Sequence, residues 1–216
     1  EKGRRSIGAE LDSDHLVDFH LAHAAMPTSM RAFLERGDEG MEEARGIVKS
    51  PPREAVLLKR DIRVSSPLCS AERPKIFCIG VNYADHAAEL GNDVPTEPLL
   101  FLKAPSALIR NGEPIVIPPQ SNQVEHEGEL AIIIGRKCKD LSASEDPFDY
   151  VEGYTCLNDV TARDLQRKDG QFARAKSFDT FCPIGPVIET DLDVSDLRVT
   201  TRVNGIVKQD GQTSQM

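Results

Sequence analysis

The sequence lacks the motifs that mark several common enzyme classes. It contains no phosphate-binding glycine loop, no paired zinc motif, no serine nucleophile elbow and no internal repeat. These absences argue against a nucleotide-binding enzyme, a zinc enzyme and a serine hydrolase. No apolar run approaches the length of a membrane span, so we expect no membrane partner.

Cysteine is sparse and forms no recognisable framework. The five cysteines are odd in number, scattered, and contain no Cys-x-x-Cys pair. This pattern is typical of reduced, mostly buried thiols in a cytoplasmic protein, and it disfavours a cysteine nucleophile. Cys78 and Cys156 lie in apolar, strand-like runs, where we expect buried side chains.

Length and charge limit the remaining classes. A chain of 216 residues suits one or two domains, and its 39% hydrophobic and 28% charged residues are ordinary for a globular protein. The formal charge of −9 argues against nucleic acid or an anionic membrane surface as a partner.

The first part of the chain reads as a small N-terminal domain over residues 1–70. A helical pattern runs from Ser29 to Glu39, and we interpret His15, His20 and His23 as surface histidines. The stretch from Ser65 to Pro74 has the composition of a linker. A second domain is predicted over residues 71–216.

The second domain opens with a predicted buried strand, Lys75–Val81, and a short helix, Asn82–Gly91. His86 and Glu89 are three residues apart and therefore neighbours on one helical face. A carboxylate beside an imidazole raises its basicity, so the pair is a candidate base. An exposed polar pair is the commoner explanation for this spacing alone.

An acidic stretch, Val124–Leu130, leads into four apolar residues and predicts one continuous strand. Alternation would place Glu127 and Glu129 on one face, with Cα atoms about 7 Å apart. Two carboxylates that close repel each other unless one is protonated or a cation lies between them. The alternatives are a metal site and a solvated strand end, and Glu125 shares the same predicted face.

A later strand, Tyr150–Leu157, leads to three polar residues of interest. If the following segment is helical, Asp159, Arg163 and Gln166 share one face. The alternative role for Asp159 is a helix N-cap. Lys176 lies beside aromatic residues and is either snorkelling or positioned for an anion.

Two further elements are predicted from the local sequence. Leu99–Lys103 is expected to be a strand that ends on a single charge. Asn204-Gly205 lies between two apolar runs, Val199–Val203 and Ile206–Lys208, and predicts a hairpin with a type I′ turn.

Five segments in order resemble the fumarylacetoacetate hydrolase family, from about Lys75 to the last residue. The segments are Asn82–His86, Phe101–Lys103, His126–Ala131, Asn158–Gln166 and Lys176–Pro183. The resemblance implies an α+β, mainly β fold, with a mixed β-roll, barrel-like catalytic domain after a small N-terminal domain. It also implies a homodimer.

The resemblance assigns roles to individual residues. It implies that Glu127, Glu129 and Asp159 are the metal ligands, and an all-carboxylate set suits Mg²⁺, with Mn²⁺ or Ca²⁺ as alternatives. It favours Glu127 and Glu129 over Glu125. The remaining assignments are His86, Glu89 and Lys176 as catalytic residues, and Arg163, Gln166 and Lys103 as substrate-binding residues.

The implied activity is metal-dependent hydrolysis of a carbon–carbon bond in a small acylpyruvate or other 1,3-dioxo acid. Two alternatives use the same enolate, namely decarboxylation of an oxaloacetate-type 2-oxo acid and isomerisation of an unsaturated 2-oxo diacid. A non-catalytic metal- or ligand-binding module is the alternative from another class. Family members continue beyond the region of Met216, so we expect this chain to be a fragment.

Overall fold

The computed structural model describes residues 5–68, 74–83 and 96–216. The fold of the described residues is mainly β, with few helices, as expected. The strands are β1 (Gly8–Glu10), β2 (His15–Asp18), β3 (Val56–Leu58), β4 (Ile76–Gly80), β5 (Leu99–Lys103), β6 (Leu108–Ile109), β7 (Val124–Glu125), β8 (Gly128–Ile134), β9 (Val151–Asn158), β10 (Thr161–Ala162), β11 (Cys182–Pro183), β12 (Arg198–Val203) and β13 (Ile206–Gln212).

The α-helices in these ranges are α1 (Phe19–Ala22), α2 (Met30–Leu34), α3 (Gly37–Lys49), α4 (Arg163–Asp169) and α5 (Ala173–Lys176). Across the described ranges, no helix has the length and apolar character needed to cross a membrane.

The first three strands form an antiparallel sheet in the order β1-β2-β3. This sheet and helices α1 to α3 enclose a hydrophobic cluster made of Val17, Phe19, Met26, Phe33, Ala44 and Ala55. A separate core is what a small N-terminal domain would have, but the division at residue 70 stays a prediction.

The helix predicted from Ser29 to Glu39 is two helices in the structure. Ser29 caps α2 by accepting a hydrogen bond from the Ala32 N–H at 3.3 Å. α2 ends at Leu34 and α3 begins at Gly37, whose φ of 54° lies in the left-handed region that favours glycine. This backbone angle interrupts the helical path, which is why the prediction of one helix was wrong.

Strand β4 confirms the predicted strand but not its full burial. It pairs antiparallel with β5, and Phe77 lies opposite Leu102. These two side chains are 66% and 54% exposed, respectively. Cys78 and Phe101, also a cross-strand pair, are half-buried. The sheet is therefore covered on one face only by the described residues, which apolar character alone could not reveal.

The acidic strand is interrupted where the sequence predicted continuity. β7 ends at Glu125 and β8 begins at Gly128. At the break, the Glu127 N–H donates to Asn158 Oδ1 at 3.0 Å, and the Glu127 carbonyl accepts from the Asp159 N–H at 2.8 Å. Because the Asn158 partner is a side-chain oxygen and not a backbone carbonyl, the regular backbone hydrogen bonding of the strand stops at Glu127. From Gly128 onward, β8 pairs antiparallel with β9.

A second hydrophobic cluster lies beneath the elements that carry the acidic residues. Its members are Ala107, Leu108, Val160, Ala162, Leu165, Ala175, Phe181, Cys182 and Ile184. They come from β6, β10, β11, α4, α5 and the adjoining loops. Phe181 is 0% exposed, and full burial of such a side chain contributes about 1.5–3 kcal/mol. This packing holds α4 and α5 against β10.

The last two strands form the predicted hairpin. β12 and β13 pair antiparallel, and the turn residues Asn204 and Gly205 have φ angles of 52° and 79°. Positive φ at both central positions is the mark of a type I′ turn, so the prediction is confirmed.

Candidate active site

Asp159 lies at the corner between β9 and β10, in non-helical chain. Helix α4 begins only at Arg163, and its N-cap is Ala162. The prediction that Asp159 shares a helical face with Arg163 and Gln166 is therefore wrong, and so is the N-cap alternative. The β9–β10 corner, rather than helical spacing, carries the Asp159 carboxylate into the buried interior, where its side chain is 6% exposed.

Lys176, the last residue of α5, joins two of the predicted carboxylates. Its ammonium donates to Glu127 Oε2 and to Asp159 Oδ2, both at 2.6 Å. The Nζ atom also lies 4.9 Å from the centre of the Phe101 ring, within the range of a cation–π contact. With its side chain 4% exposed, Lys176 contacts anions inside the protein and does not snorkel to solvent.

Lys103, at the end of β5, supports the same carboxylate from the other side. Its ammonium donates to Asp159 Oδ1 at 2.6 Å, to the Val160 carbonyl at 3.3 Å and to the Lys176 carbonyl. An ammonium has three N–H donors, so protein oxygens use all of them. This geometry differs from the substrate contact that the resemblance implied for Lys103.

Arg163 is brought together with Gln166, as expected, and with two glutamates. Its Nε donates to Glu125 Oε2 at 3.0 Å, its Nη2 to Glu127 Oε1 at 2.6 Å and its Nη1 to Gln166 Oε1 at 2.8 Å. Glu125 therefore serves as a partner of Arg163, and its side chain is 42% exposed. This contact separates Glu125 from the more buried pair Glu127 and Asp159.

The cations control the ionisation of Glu127. Burial acts to raise the pKa of this carboxyl, but the charges and hydrogen bonds of Lys176 and Arg163 outweigh burial and hold the pKa below its usual value. For Glu125, burial likewise acts to raise the pKa, and the hydrogen bonds from Arg163 and Gln123 lower it overall. Both groups are therefore stabilised as carboxylates.

Glu129 has the opposite balance. Burial, followed by the charges of Glu127 and Asp159, raises the pKa of Glu129 to about 7, and Lys176 offsets this only in part. No hydrogen-bond donor from the described part of the chain reaches its carboxylate. The site thus holds one buried carboxylate whose negative charge is poorly compensated.

The donor chemistry of this group suits a hard divalent cation. Glu127, Glu129 and Asp159 offer only carboxylate oxygens, and the uncompensated charge of Glu129 is what a bound cation would balance. As they stand, no three His, Cys, Asp or Glu side chains in residues 5–68, 74–83 and 96–216 are arranged to hold a metal ion. The ammonium of Lys176 lies between Glu127 and Asp159 in that arrangement.

Two residues near the acidic group were not singled out from the sequence. Thr161 Oγ1 lies 3.2 Å from Glu127 Oε1 and 2.9 Å from the Asp159 carbonyl oxygen. The Asn158 side chain accepts from the backbone of Glu127. Both residues belong to the segment Asn158–Gln166. The local sequence does not predict that Thr161 contacts the Glu127 carboxylate or that Asn158 accepts from the Glu127 N–H.

The predicted base pair, His86 and Glu89, lies outside the described residues. Its assignment continues to rest on the sequence.

The chain belongs to the fumarylacetoacetate hydrolase family. The family model described as fumarylacetoacetate (FAA) hydrolase C-terminal matches residues 75–216, the region in which all five sequence segments lie. Members of this family generally use a divalent metal.

Relatives and solved structures of known family members are similar over much of the chain. Oxaloacetate tautomerase fahd2, mitochondrial, of Xenopus laevis is 40% identical over 97% of this chain and 66% of its own length. The structure of fumarylacetoacetate hydrolase from psychrophilic Exiguobacterium antarcticum matches with a TM-score of 0.77 and 37% identity, covering 100% of this chain and 74% of that one.

A third similar protein is 5-carboxymethyl-2-hydroxymuconate delta-isomerase from Mycobacterium smegmatis. Its crystal structure matches with a TM-score of 0.66 and 47% identity, covering 76% of this chain and 61% of that one. The chain spans only part of the length of similar curated proteins, namely 67%, 58% and 66% of three of them.

Proposed function

We propose that the protein moves a proton at the carbon next to the 2-oxo group of a small 2-oxo diacid. The reaction is tautomerisation of an oxaloacetate-type acid or isomerisation of an unsaturated 2-oxo diacid. The observation that carries this proposal is the buried Lys176 ammonium, held between Glu127 and Asp159. A fixed positive charge at this position stabilises negative charge that develops on an enolate oxygen.

Hydrogen-bond capacity separates the two buried lysines. Lys176 uses two of its three N–H donors on Glu127 and Asp159, which leaves one for a substrate oxygen. Lys103 has none left. We therefore assign the substrate contact to Lys176 and a supporting role to Lys103.

Arg163 also has N–H donors that its described contacts do not use. Three of its five N–H donors contact Glu125, Glu127 and Gln166, and two remain within the described contacts. These two donors suit a carboxylate of the substrate, which a guanidinium binds with defined geometry. Gln166 accepts from Nη1 and thereby orients the guanidinium.

We propose Glu127, Glu129 and Asp159 as the residues that hold a divalent cation, Mg²⁺ in the first instance. When bound, the ion supplies Lewis-acid polarisation of the 2-oxo group. Removal of the C3 proton leaves the C–H electron pair to form the C2–C3 double bond, and the 2-oxo oxygen takes up the negative charge. The proton then returns to that oxygen in tautomerisation, or to the remote carbon of the conjugated system in isomerisation. His86, oriented by Glu89, is the base that the sequence predicts for this proton.

Hydrolysis of an acylpyruvate uses the same enolate but requires an attacking water. The names of the oxaloacetate tautomerase and the delta-isomerase relatives support proton transfer better than hydrolysis. We therefore place tautomerisation or isomerisation ahead of the hydrolysis that the sequence first favoured.

A product screen tests the proposal. The purified protein is mixed with oxaloacetate, an unsaturated 2-oxo diacid and an acylpyruvate, each with Mg²⁺ or with EDTA. We expect Mg²⁺-dependent interconversion of enol and keto forms, or of double-bond isomers, followed by ultraviolet absorbance. Carbon–carbon cleavage without such interconversion would establish the hydrolase instead, and release of carbon dioxide as the main reaction would establish the decarboxylase.

The screen includes a matched pair of variants. Lys176→Met removes the proposed contact with the substrate and should abolish turnover. Lys208→Met changes an exposed lysine of β13 and should have no effect. Binding of the acids without turnover by the unmodified protein would favour the ligand-binding module.

The assembly and location predicted from the sequence are proposals as well. A homodimer is tested by sedimentation equilibrium of the purified protein. The cytoplasmic location is a prediction, and the names of three similar curated proteins place those proteins in mitochondria.

A further inference from the structure

We infer that Gln209 is a positioning residue that fixes the acidic site through the backbone of Gly128. The two residues are far apart in the chain and meet where the β12–β13 hairpin packs against the start of β8. Gln209 Nε2 donates to the Gly128 carbonyl oxygen at 2.6 Å, and the Gly128 N–H donates to Gln209 Oε1 at 2.7 Å. One side chain thus satisfies both hydrogen-bonding groups of a single residue.

Gly128 stands between Glu127 and Glu129, at the break between β7 and β8. Immediately before it, Asn158 and Asp159 hold the N–H and carbonyl of Glu127. Gln209 then fixes the next residue. Because the backbone angles on either side of Gly128 set the directions of both flanking side chains, this contact controls where the two glutamates point.

The packing at Gly128 leaves no room for a side chain. A Cβ atom at this position would lie 2.1 Å from Thr201 Oγ1 and 3.2 Å from Gln209 Oε1. Glycine is therefore required for the close approach of the hairpin. The Thr201 hydroxyl also lies 3.2 Å from Gln209 Oε1, to which it donates, and this contact orients the amide with its oxygen toward the Gly128 N–H.

The hairpin is otherwise exposed near this point. Ile206 is 61% exposed and Val207 is 44% exposed, whereas Gln209 is half-buried. Gln209 therefore does more than fill space, because both the oxygen and the nitrogen of its side-chain amide are hydrogen-bonded to the backbone of Gly128. The inference that Gln209 organises a cation site rests on the proposed function, whereas the hydrogen bonds between Gln209 and Gly128 do not depend on it.

The test uses Gln209→Met, which keeps the length of the side chain and removes both hydrogen bonds. Gln212→Met is the matched control, because Gln212 is an exposed glutamine on the same strand. Two quantities are measured, namely amide hydrogen exchange at Gly128 in EDTA and the affinity for Mn²⁺ by calorimetry. A third measurement is a double-mutant cycle of Gln209→Met with Glu127→Gln, read as unfolding free energies in EDTA.

We expect Gln209→Met to accelerate exchange at Gly128 and to weaken Mn²⁺ binding by about 10- to 100-fold, as loss of a residue that orients a ligand does. Gln212→Met should match the unmodified protein in both. Unchanged exchange at Gly128, or faster exchange with unchanged Mn²⁺ affinity, would overturn the inference. If Gln209→Met does not fold, Thr201→Val, which removes only the orienting hydroxyl, should produce a smaller change in the same direction.

The double-mutant cycle separates this inference from the proposed function. If the unmodified protein binds no Mn²⁺, the proposed cation site fails. A non-additive cycle would then still support the positioning of Glu127 by Gln209, and an additive cycle would overturn it.

Discussion

The ammonium of Lys176 lies 2.6 Å from the carboxylate of Glu127. This contact, together with that of Arg163, holds the pKa of Glu127 below its usual value although burial acts to raise it, whereas Glu129, two residues along, is left without a donor from the described residues. Two glutamates of one acidic stretch therefore have opposite electrostatic environments.

This contrast predicts opposite effects of two conservative substitutions in the metal-free protein at pH 8. Glu127→Gln removes a charge that balances the buried ammonium of Lys176 and the half-buried guanidinium of Arg163, and it should lower the free energy of unfolding by about 3 kcal/mol. Glu129→Gln removes a poorly compensated buried charge and should raise it by about 1 kcal/mol. Urea denaturation in EDTA measures both values. Equal losses from the two substitutions would contradict the described charge balance.

Lys103 provides a second prediction, which concerns stability. Lys103→Met should lower the free energy of unfolding by about 3–5 kcal/mol, because it leaves Asp159 Oδ1 and two backbone carbonyls without their buried donor. Adding Asp159→Asn should recover part of that loss, since the unpaired charge is removed. The exposed Lys208→Met is the control in the same urea titration. A loss no larger than that of the control would show that Lys103 is not the buried support described.

A third prediction concerns the close approach at Gly128. Gly128→Ala should destabilise the fold by about 1–3 kcal/mol, because its Cβ would overlap with Thr201 Oγ1. Combining it with Thr201→Ala removes the overlapping hydroxyl and should restore part of the stability. Thermal unfolding of the two single variants and the double variant measures this coupling. Strict additivity would contradict the geometry of the hairpin contact.

The chemistry of the site could largely be predicted from the sequence, whereas its geometry could not. From the residues alone, Glu127, Asp159 and Lys176 each had an alternative role, and it was the resemblance to the family that assigned them to one site. The helical spacing that linked Asp159 to Arg163 was misleading, because the chain turns a β9–β10 corner before α4 begins. The two residues still lie close together, because both contact Glu127. The Asp159 N–H donates to the Glu127 carbonyl oxygen, and Arg163 Nη2 donates to Glu127 Oε1.

Other features depended on contacts that no local pattern encodes. The hairpin at Asn204-Gly205 was predictable because its turn requires positive φ at both residues. The contact of Gln209 with Gly128 was not, because a glutamine in an exposed strand has the same sequence context whether or not it reaches another backbone. Similarly, an apolar strand such as β4 does not reveal which of its faces is covered.

Thiol reactivity supplies a prediction with a pH dependence. Burial, then the charge of Asp159, raises the pKa of Cys78 to about 12, and burial raises the pKa of Cys182 to about 12. Because the thiolate is the reactive form, both thiols should resist iodoacetamide at pH 8 and remain resistant at pH 9. Cys138 and Cys156 are exposed, contrary to the prediction for Cys156, and should be alkylated under the same conditions.

Peptide mass spectrometry after a timed reaction resolves the individual cysteines. A sample unfolded in urea serves as the control, in which every cysteine should react. Labelling of Cys182 in the folded protein at the rate of Cys138 would contradict the burial described.

Exchange of the C3 protons of oxaloacetate for deuterium measures the proposed proton transfer itself, because it reports removal of the C3 proton regardless of the final product. The purified protein is incubated with the substrate in D₂O, and the C3 signal is followed by proton NMR with Mg²⁺ or with EDTA. We predict exchange that is faster than the Mg²⁺ blank, is lost in EDTA and is lost in Lys176→Met, while Lys208→Met retains it. Exchange no faster than the Mg²⁺ blank, or full exchange by Lys176→Met, would contradict the account.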